Sequence, residues 1–395
     1  MTASVNATAP NGADILERAR GLSSQIRAAR AEGEGLRRTP DELARLMTEA
    51  GVFQLYLPKS VSGPELSPLE AFQVIEEVSK ADGSAGWCAM IASDIALITG
   101  WLPQDTLRDM AGDQPDLRGA GSLRPGGEAQ RVDGGYKVSG RWTFASGIDH
   151  ANWLYCPAFI KEGGKPVLNA AGTPTVRAMW MPACRANLLD TWHTVGMRAT
   201  GSQDFTVEGA FVPDAYTCFL GEPPVAEGPL YNPRFAFVNF FGVIAANALG
   251  IGRGAIEEFT TLATAGASTM STTLLRDRPR VQDSLGHAEA IISAARAYVV
   301  AAIGEAWEAA KTGKPDPSQE IAHARLAIAH AVHESVRAVD IIFHAAGTNA
   351  IYVRNPIERH FRDVHVAAQH NAAFPVYCEH AGKVFLGLRP EDQGW

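Results

Sequence analysis

Cysteine is scarce in this chain, with five in 395 residues at Cys88, Cys156, Cys184, Cys218 and Cys378. They are scattered, odd in number and never spaced as C-x-x-C, so neither zinc nor a redox dithiol is indicated and the thiols are expected to be reduced. A basic surplus is missing too. Lys and Arg number 35 against 43 Asp and Glu, a formal charge of −8, which gives no field for nucleic acid. No apolar run reaches the roughly 18 residues expected of a membrane span. The opening MTASVNATAPNGAD lacks the regions of a secretory signal and reads as a frayed tail. Gly250, Gly252 and Gly254 give G-x-G-x-G inside a helical pattern, not the G-x-G-x-x-G that follows a strand, so no dinucleotide fold is expected. Internal repeats are absent. These absences suit a cytoplasmic protein that contacts neither nucleic acid nor membrane.

What is present is a composition of 46% hydrophobic and 20% charged residues, ordinary for a globular enzyme of two or three domains. From Ala13 to about Met110 apolar residues recur at three- and four-residue steps. Thr39-Pro40 and Ser67-Pro68 read as N-caps followed by a proline in the first turn, and Gly51 as a stop. Between about Asp116 and Pro233, GGYKVSGRWTF, NWLYCPAFI and DFTVEGAFV alternate as antiparallel strands of a barrel or sandwich, with a hairpin turn at Gly134-Gly135. After Tyr231 the helical period returns in Phe240 to Ala265, Asp283 to Lys311, Ser318 to Ala346 and the segment after Pro356, a four-helix bundle. The fold class expected is α+β, mostly α. Its parts are an N-terminal helical domain over 1–115, a central β domain over 116–232 and a C-terminal bundle over 233–395.

The densest chemistry lies in NPIERHFRDVHVAAQHNAAFP, residues Asn355 to Pro375. If the segment is one helix, Arg359, Arg362, Val366 and His370 share a face, an arrangement for an anionic or polarisable ligand. His323, His330 and His333 fall on one helix, but no second E-x-x-H pair exists to complete a carboxylate-bridged site, so no metal is expected.

R-x-x-R-D with a histidine seven residues after the aspartate resembles the C-terminal flavin-site segment of the two-component, reduced-flavin-dependent monooxygenases built on the acyl-CoA dehydrogenase fold. Residues Asp190 to Pro213, DTWHTVGMRATGSQDFTVEGAFVP, are similar to a second motif of that family, and Gly140 to Trp153, GRWTFASGIDHANW, to a third. The match runs from about Asp14 to Gly387.

That resemblance implies an order of helical, β and helical units, and reduced FAD or FMN at the junction of the last two. It further implies reaction with O2 through a flavin C4a-hydroperoxide and delivery of oxygen to a small aromatic or heteroaromatic molecule. A separate NAD(P)H:flavin reductase and a homo-oligomer, expected to be a tetramer, complete the picture. Ser146 and Phe144 would face the flavin ring, with Gly121 and Ser122 at its other edge. Thr200 and Ser202, in a donor-rich turn that can hold a phosphate or an adjacent loop, would bind the cofactor, and Arg359 and Arg362 would fix the flavin phosphate or a subunit contact. Trp87 would line the substrate cavity; His193 would line the site or serve structure. The catalytic glutamate of an acyl-CoA dehydrogenase falls on Asn371, beside the substrate, and His370 one residue earlier would activate substrate or peroxide. The alternative is an acyl-CoA dehydrogenase holding FAD tightly, with Glu379 as a base from elsewhere.

Overall fold

The computed structural model describes residues 10–112, 116–265 and 273–390. Residues 1–9 of the expected tail and the 113–115 junction lie outside them. Six helices come first: α1 Gly12–Gly21, α2 Ser23–Leu36, α3 Asp41–Ala50, α4 Pro68–Ala81, α5 Gly83–Ile98 and α6 Gln104–Ala111. Ser67 accepts from the Glu70 amide while the Glu70 carboxylate accepts from that of Ser67, a reciprocal cap that starts α4 where the sequence signal put it. Gly51 ends α3 at φ +81. The Thr39 signal was misleading, because Pro40 takes the cap position and the Thr39 hydroxyl instead donates to the Ala199 carbonyl, 3.3 Å away.

Nine strands follow: β1 Gly119–Gly121, β2 Gly127–Val132, β3 Gly135–Trp142, β4 Trp153–Glu162, β5 Lys165–Pro166, β6 Val176–Pro182, β7 Asn187–Leu189, β8 Asp204–Pro213 and β9 Thr217–Cys218. They form one sheet in the order β7-β8-β3-β2-β4-β6-β9, with β1 and β5 also on β4. The sheet is mixed rather than wholly antiparallel, since β1 and β2 both run parallel to β4. The β2–β3 turn is Asp133-Gly134, with Val132 opposite Gly135, so it sits one residue before the expected pair. Trp142, stacked on Phe205 at 5.4 Å, anchors a core private to this sheet.

The chain then returns to helix with α7 Ala236–Ala265, α8 Pro279–Lys311, α9 Ser318–Ala346, α10 Pro356–Ala367 and α11 Val376–Phe385. Two helices, Pro233–Ala265 and Pro279–Lys311, are long and apolar enough on average to cross a membrane, although neither is an unbroken apolar run. The first has its apolar window 89% buried inside the protein, as the central helix of a core would.

The glycines of α7 serve packing. A Cβ on Gly250 would lie 2.5 Å from the Glu76 carbonyl oxygen and one on Gly254 2.5 Å from that of Lys80, so α4 rests directly on α7 backbone. Asn247, just before them on α7 and fully buried, donates to the Ser79 hydroxyl at 2.9 Å and the Gly83 carbonyl at 3.0 Å. This close crossing sets where α5, which starts at Gly83, enters the molecule. Gly250→Ala should push the helices apart and cost about 1–3 kcal/mol; a thermal melt matching wild type would show that α4 does not rest there.

Candidate flavin and substrate site

Two tight turns meet at the N-terminal half of α5. The first, 144–147, has positive φ at Phe144 (59°) and Gly147 (75°); the second, 197–201, at Met197 (52°) and Gly201 (54°). Gly147 N–H donates to the Thr200 carbonyl at 2.8 Å and Ala145 N–H to that of Gln203 at 3.1 Å, so each turn fixes the other. Left-handed backbone at a residue as bulky as Phe144 is costly, and such geometry gathers at functional sites.

Together the turns line up three hydroxyls. Ser146 and Ser202 oxygens are 2.6 Å apart, Ser202 and Thr200 also 2.6 Å, and Thr200 lies 2.9 Å from the Met197 carbonyl. A carbonyl only accepts, so Thr200 donates to Met197, Ser202 to Thr200 and Ser146 to Ser202. Trp87 Nε1 donates into the head of this chain, 3.1 Å from Ser146 Oγ. Every hydroxyl proton is therefore committed. What Ser146 has left is a lone pair, so it can accept a hydrogen bond but not give one.

Trp87 also meets His370, edge to face at 5.8 Å, and His370 meets Phe241 at 6.0 Å. His370 is not on the helix of the two arginines: α10 stops at Ala367, and His370 lies beyond it in extended backbone as the cap of a short turn. There its Nδ1 accepts from the Ala372 N–H at 3.2 Å. Burial pushes the imidazole down to about 4, so the ring is neutral near pH 7 and Nε2 carries the proton. His333, from α9, donates from Nε2 to the Ala373 carbonyl at 2.8 Å and holds this turn in place.

Arg359 and Arg362 turn away from that cluster. Glu34 of α2 accepts from both, at 2.6 and 2.7 Å, and Arg362 also pairs with Glu358 and donates to the Val195 carbonyl at 2.8 Å. Burial alone would raise Glu34, but the two guanidinium groups outweigh it and hold its carboxyl below the usual carboxylate range. Both arginines are thus committed within the chain, as ties between α10, α2 and the 195–202 loop. The cleft at this seam, about 180 Å³ and lined by Arg30, Glu34, Asp82, Arg198, Arg359 and Asp363, is a charged junction and not the aromatic cluster.

The remaining candidates separate. His193 is exposed, between Arg37 (3.1 Å) and Asp190 (3.4 Å). Gly121 packs its backbone on Tyr155 and Ser122 accepts from the Arg124 N–H, and no hydrogen bond joins them to the hydroxyl chain among the described residues. Asn371 and Glu379 are exposed, the latter paired with Lys383 at 2.9 Å, so neither presents a base to the cluster. No group of three metal-ligating side chains occurs among the described residues. Phe241 and the α5 residues Ile91 and Asp94 were missed. Asp94, the one acid within GSAGWCAMIASDIALI, was the signal. Beneath the turns lies Cys88, its Sγ 3.6 Å from the Thr200 carbonyl and its thiol pushed up to about 12 by burial.

Residues 15–101 match the family model "Acyl-CoA dehydrogenase, N-terminal domain" and 242–375 the model "Acyl-CoA dehydrogenase, C-terminal domain". Indole-3-acetate monooxygenase of Acinetobacter baumannii is 31% identical over 365 residues, 92% of each chain. The FADH(2)-dependent resorcinol hydroxylase oxygenase component of Rhizobium sp. is 26% identical over 96% of this chain and 95% of its own. Among solved structures, XiaF from Streptomyces sp. in complex with FADH2 and glycerol superposes with a TM-score of 0.88 at 28% identity, over 97% and 98% of the two chains. The chain belongs to the flavin-dependent monooxygenases of the acyl-CoA dehydrogenase superfamily.

As a flavin-dependent monooxygenase, and so an oxidoreductase, it works with reduced flavin and O2. The donor set fits such a cofactor: the lone pair left at Ser146 is complementary to the N5–H that a flavin carries only when reduced. The dehydrogenase alternative falls with this assignment.

His370 gives a pH test. Unfolded histidine titrates near 6.5 but the folded ring only near 4, so the unfolded state binds the extra proton between those values. Its contribution is fully present above pH 6.5 and is lost as pH falls towards 4. The melting-temperature difference between wild type and His370→Gln should be flat above pH 6.5 and turn against wild type below it; a difference independent of pH would mean the imidazole is not buried and neutral.

Proposed function

We propose that this protein is the oxygenase component of a two-component system, accepting reduced FAD or FMN from a separate NAD(P)H:flavin reductase in the cytoplasm and hydroxylating or oxygenating a small aromatic or heteroaromatic molecule. The observation that carries this is the aromatic and hydroxyl cluster of Trp87, His370, Ser146, Ser202 and Thr200, which contains no carboxylate base. A flavin dehydrogenase needs a base to remove a proton from carbon; a reduced-flavin oxygenase needs a dry, neutral pocket with fixed hydrogen-bond partners. Reduced flavin and O2 together supply the oxygen atom, the second atom leaving as water.

The residues divide the remaining work. Ser146, oriented by Trp87 and the directed chain to Met197, would accept from the N5–H of a bound reduced flavin. Phe144 would wall its ring. His370 donates from Nε2, to the substrate or to the oxygen being transferred, because Nδ1 is already occupied and the ring is too weak a base to take a proton near neutrality. Its role is thus that of a donor, the narrower form of the activation of substrate or peroxide expected from the sequence. Arg359 and Arg362 position the α10 end and do not bind the flavin phosphate within this chain. Ile351, Tyr352, Val353, Leu386 and Leu388 are exposed apolar side chains of the kind another subunit would cover, in keeping with a tetramer.

The reading is tested by mixing the protein anaerobically with reduced FAD, then with oxygen and indole, and following flavin oxidation, oxygenated product and released hydrogen peroxide. Purified protein should hold little flavin, and adding acyl-CoA should change nothing; tightly bound FAD bleached by acyl-CoA would sink the proposal. Ser146→Ala removes a buried hydrogen-bond partner worth about 1–3 kcal/mol and should divert more of the oxidised flavin to peroxide. Unchanged coupling would remove Ser146 from the flavin edge. His370→Ala should slow product formation by about a hundredfold or more while reduced flavin still binds, and a fully active variant would dismiss His370 as the donor.

A further inference from the structure

Helix α5 is closed off by protein on every side but one. Within residues 83–98 only Trp87, Ile91 and Asp94 retain partial access. Their spacing of four and three puts them on one helical face. The stripe begins at the Trp87 that bonds Ser146 and meets His370, so it continues the site already described. At 1.5 Å per residue, Asp94 lies about 10 Å along the axis from Trp87, a span comparable to two fused rings with a short arm.

The far end of the stripe is polar and unsatisfied. Asp94 Oδ1 is buried without a hydrogen-bond partner, and so is the hydroxyl of Tyr56, a residue with 0% exposure. Neither side chain makes an ion pair or hydrogen bond among the described residues. Burial pushes both groups up, and Asp94 adds to the rise at Tyr56, which places the two within electrostatic reach of each other; no cation offsets the burial of Asp94. Buried polar atoms are almost always paired in folded proteins. Two orphans at the end of an accessible stripe therefore point to a ligand that completes them.

We propose that Asp94 and Tyr56 form the distal, polar end of the substrate cavity and select aromatic substrates whose side arm ends in an uncharged hydrogen-bonding group, a hydroxyl or carboxamide, over those ending in a carboxylate. The inference rests on the oxygenase reading and adds the substrate class. A neutral carboxyl and a phenol can each donate and accept, which suits a group that does both. An incoming carboxylate would bring an unpaired negative charge to a place with no cation. The relative named for indole-3-acetate acts on such a carboxylate; the polar end here is built for its uncharged counterparts.

Calorimetric titration of the full-length protein, loaded anaerobically with reduced FAD, tests this with indole, indole-3-acetamide, indole-3-acetate and tryptamine. Wild type should bind the acetamide at least about tenfold more tightly than the acetate or tryptamine. Asp94→Leu and Tyr56→Phe should each weaken the acetamide by about tenfold and leave indole, which has no arm, within about twofold. Melting temperature and reduced-flavin binding serve as folding controls, and the wild-type ranking decides the matter if a variant does not fold. Equal or tighter binding of the acetate, preference for tryptamine, acetamide binding indifferent to both substitutions, or no binding of any probe overturns the assignment. If wild type nonetheless binds reduced flavin and oxidises it with O2, the oxygenase reading stands; if it does neither, that reading fails on its own account.

Discussion

Glu34 sits between Arg359 and Arg362 with each of the three side chains 17% exposed or less. Charges so far from water are tolerable only when paired, and removing one partner of such a group costs about 3–5 kcal/mol because it strands the others. The pairing joins α2 near the start of the chain to α10 near its end. Asp363, next in sequence to Arg362, accepts from the Met197 N–H at 2.6 Å and so fastens the same helix to the turn that carries Thr200 and Ser202. Burial and the nearby Asp82 push its carboxyl up, a measure of how dry this junction is.

The site inherits its geometry from that junction. The hydroxyl chain is built on two turns with left-handed residues, which isolated loops would not hold, and they are kept in register by Gly147 and Thr200 on one side and by Asp363 on the other. His370 is placed by a different tie, the His333 bond to Ala373 from α9. Trp87 touches both halves, through an N–H to Ser146 and a ring edge to His370. Its own place depends on where α5 begins, and that is set by α4 lying against Gly250 and Gly254 of α7.

Much of this was legible in the sequence, and the limits have physical causes. Helices with strong local signals, such as α4 with its reciprocal cap, started where the pattern put them, because a cap is written in adjacent residues. The strand β6, Val176–Pro182, escaped notice because it is buried through its middle and alternates poorly. The family motifs marked segments that the fold brings together, yet the roles within them depend on long-range partners. Glu34 is 325 residues from Arg359, and nothing near either residue announces the pair. His370 looked like part of a helical face only until α10 ended three residues before it. The direction of the hydroxyl chain could not be read from T-G-S and S-G at all, since it is decided by a carbonyl at Met197.

Cys88 lies directly under these turns, one residue from Trp87, in an enzyme that works with reduced flavin and O2, a pair that forms hydrogen peroxide whenever oxygen is not transferred to a substrate. Peroxide oxidises the thiolate, and the ladder from sulfenic to sulfonic acid begins only there. With its thiol pushed up to about 12 and held between Thr39 and the Thr200 carbonyl, Cys88 has almost no thiolate to offer at cellular pH. The same burial that dries the turns keeps this thiol protonated, so the sulfur beneath the hydroxyl chain is a poor target for peroxide.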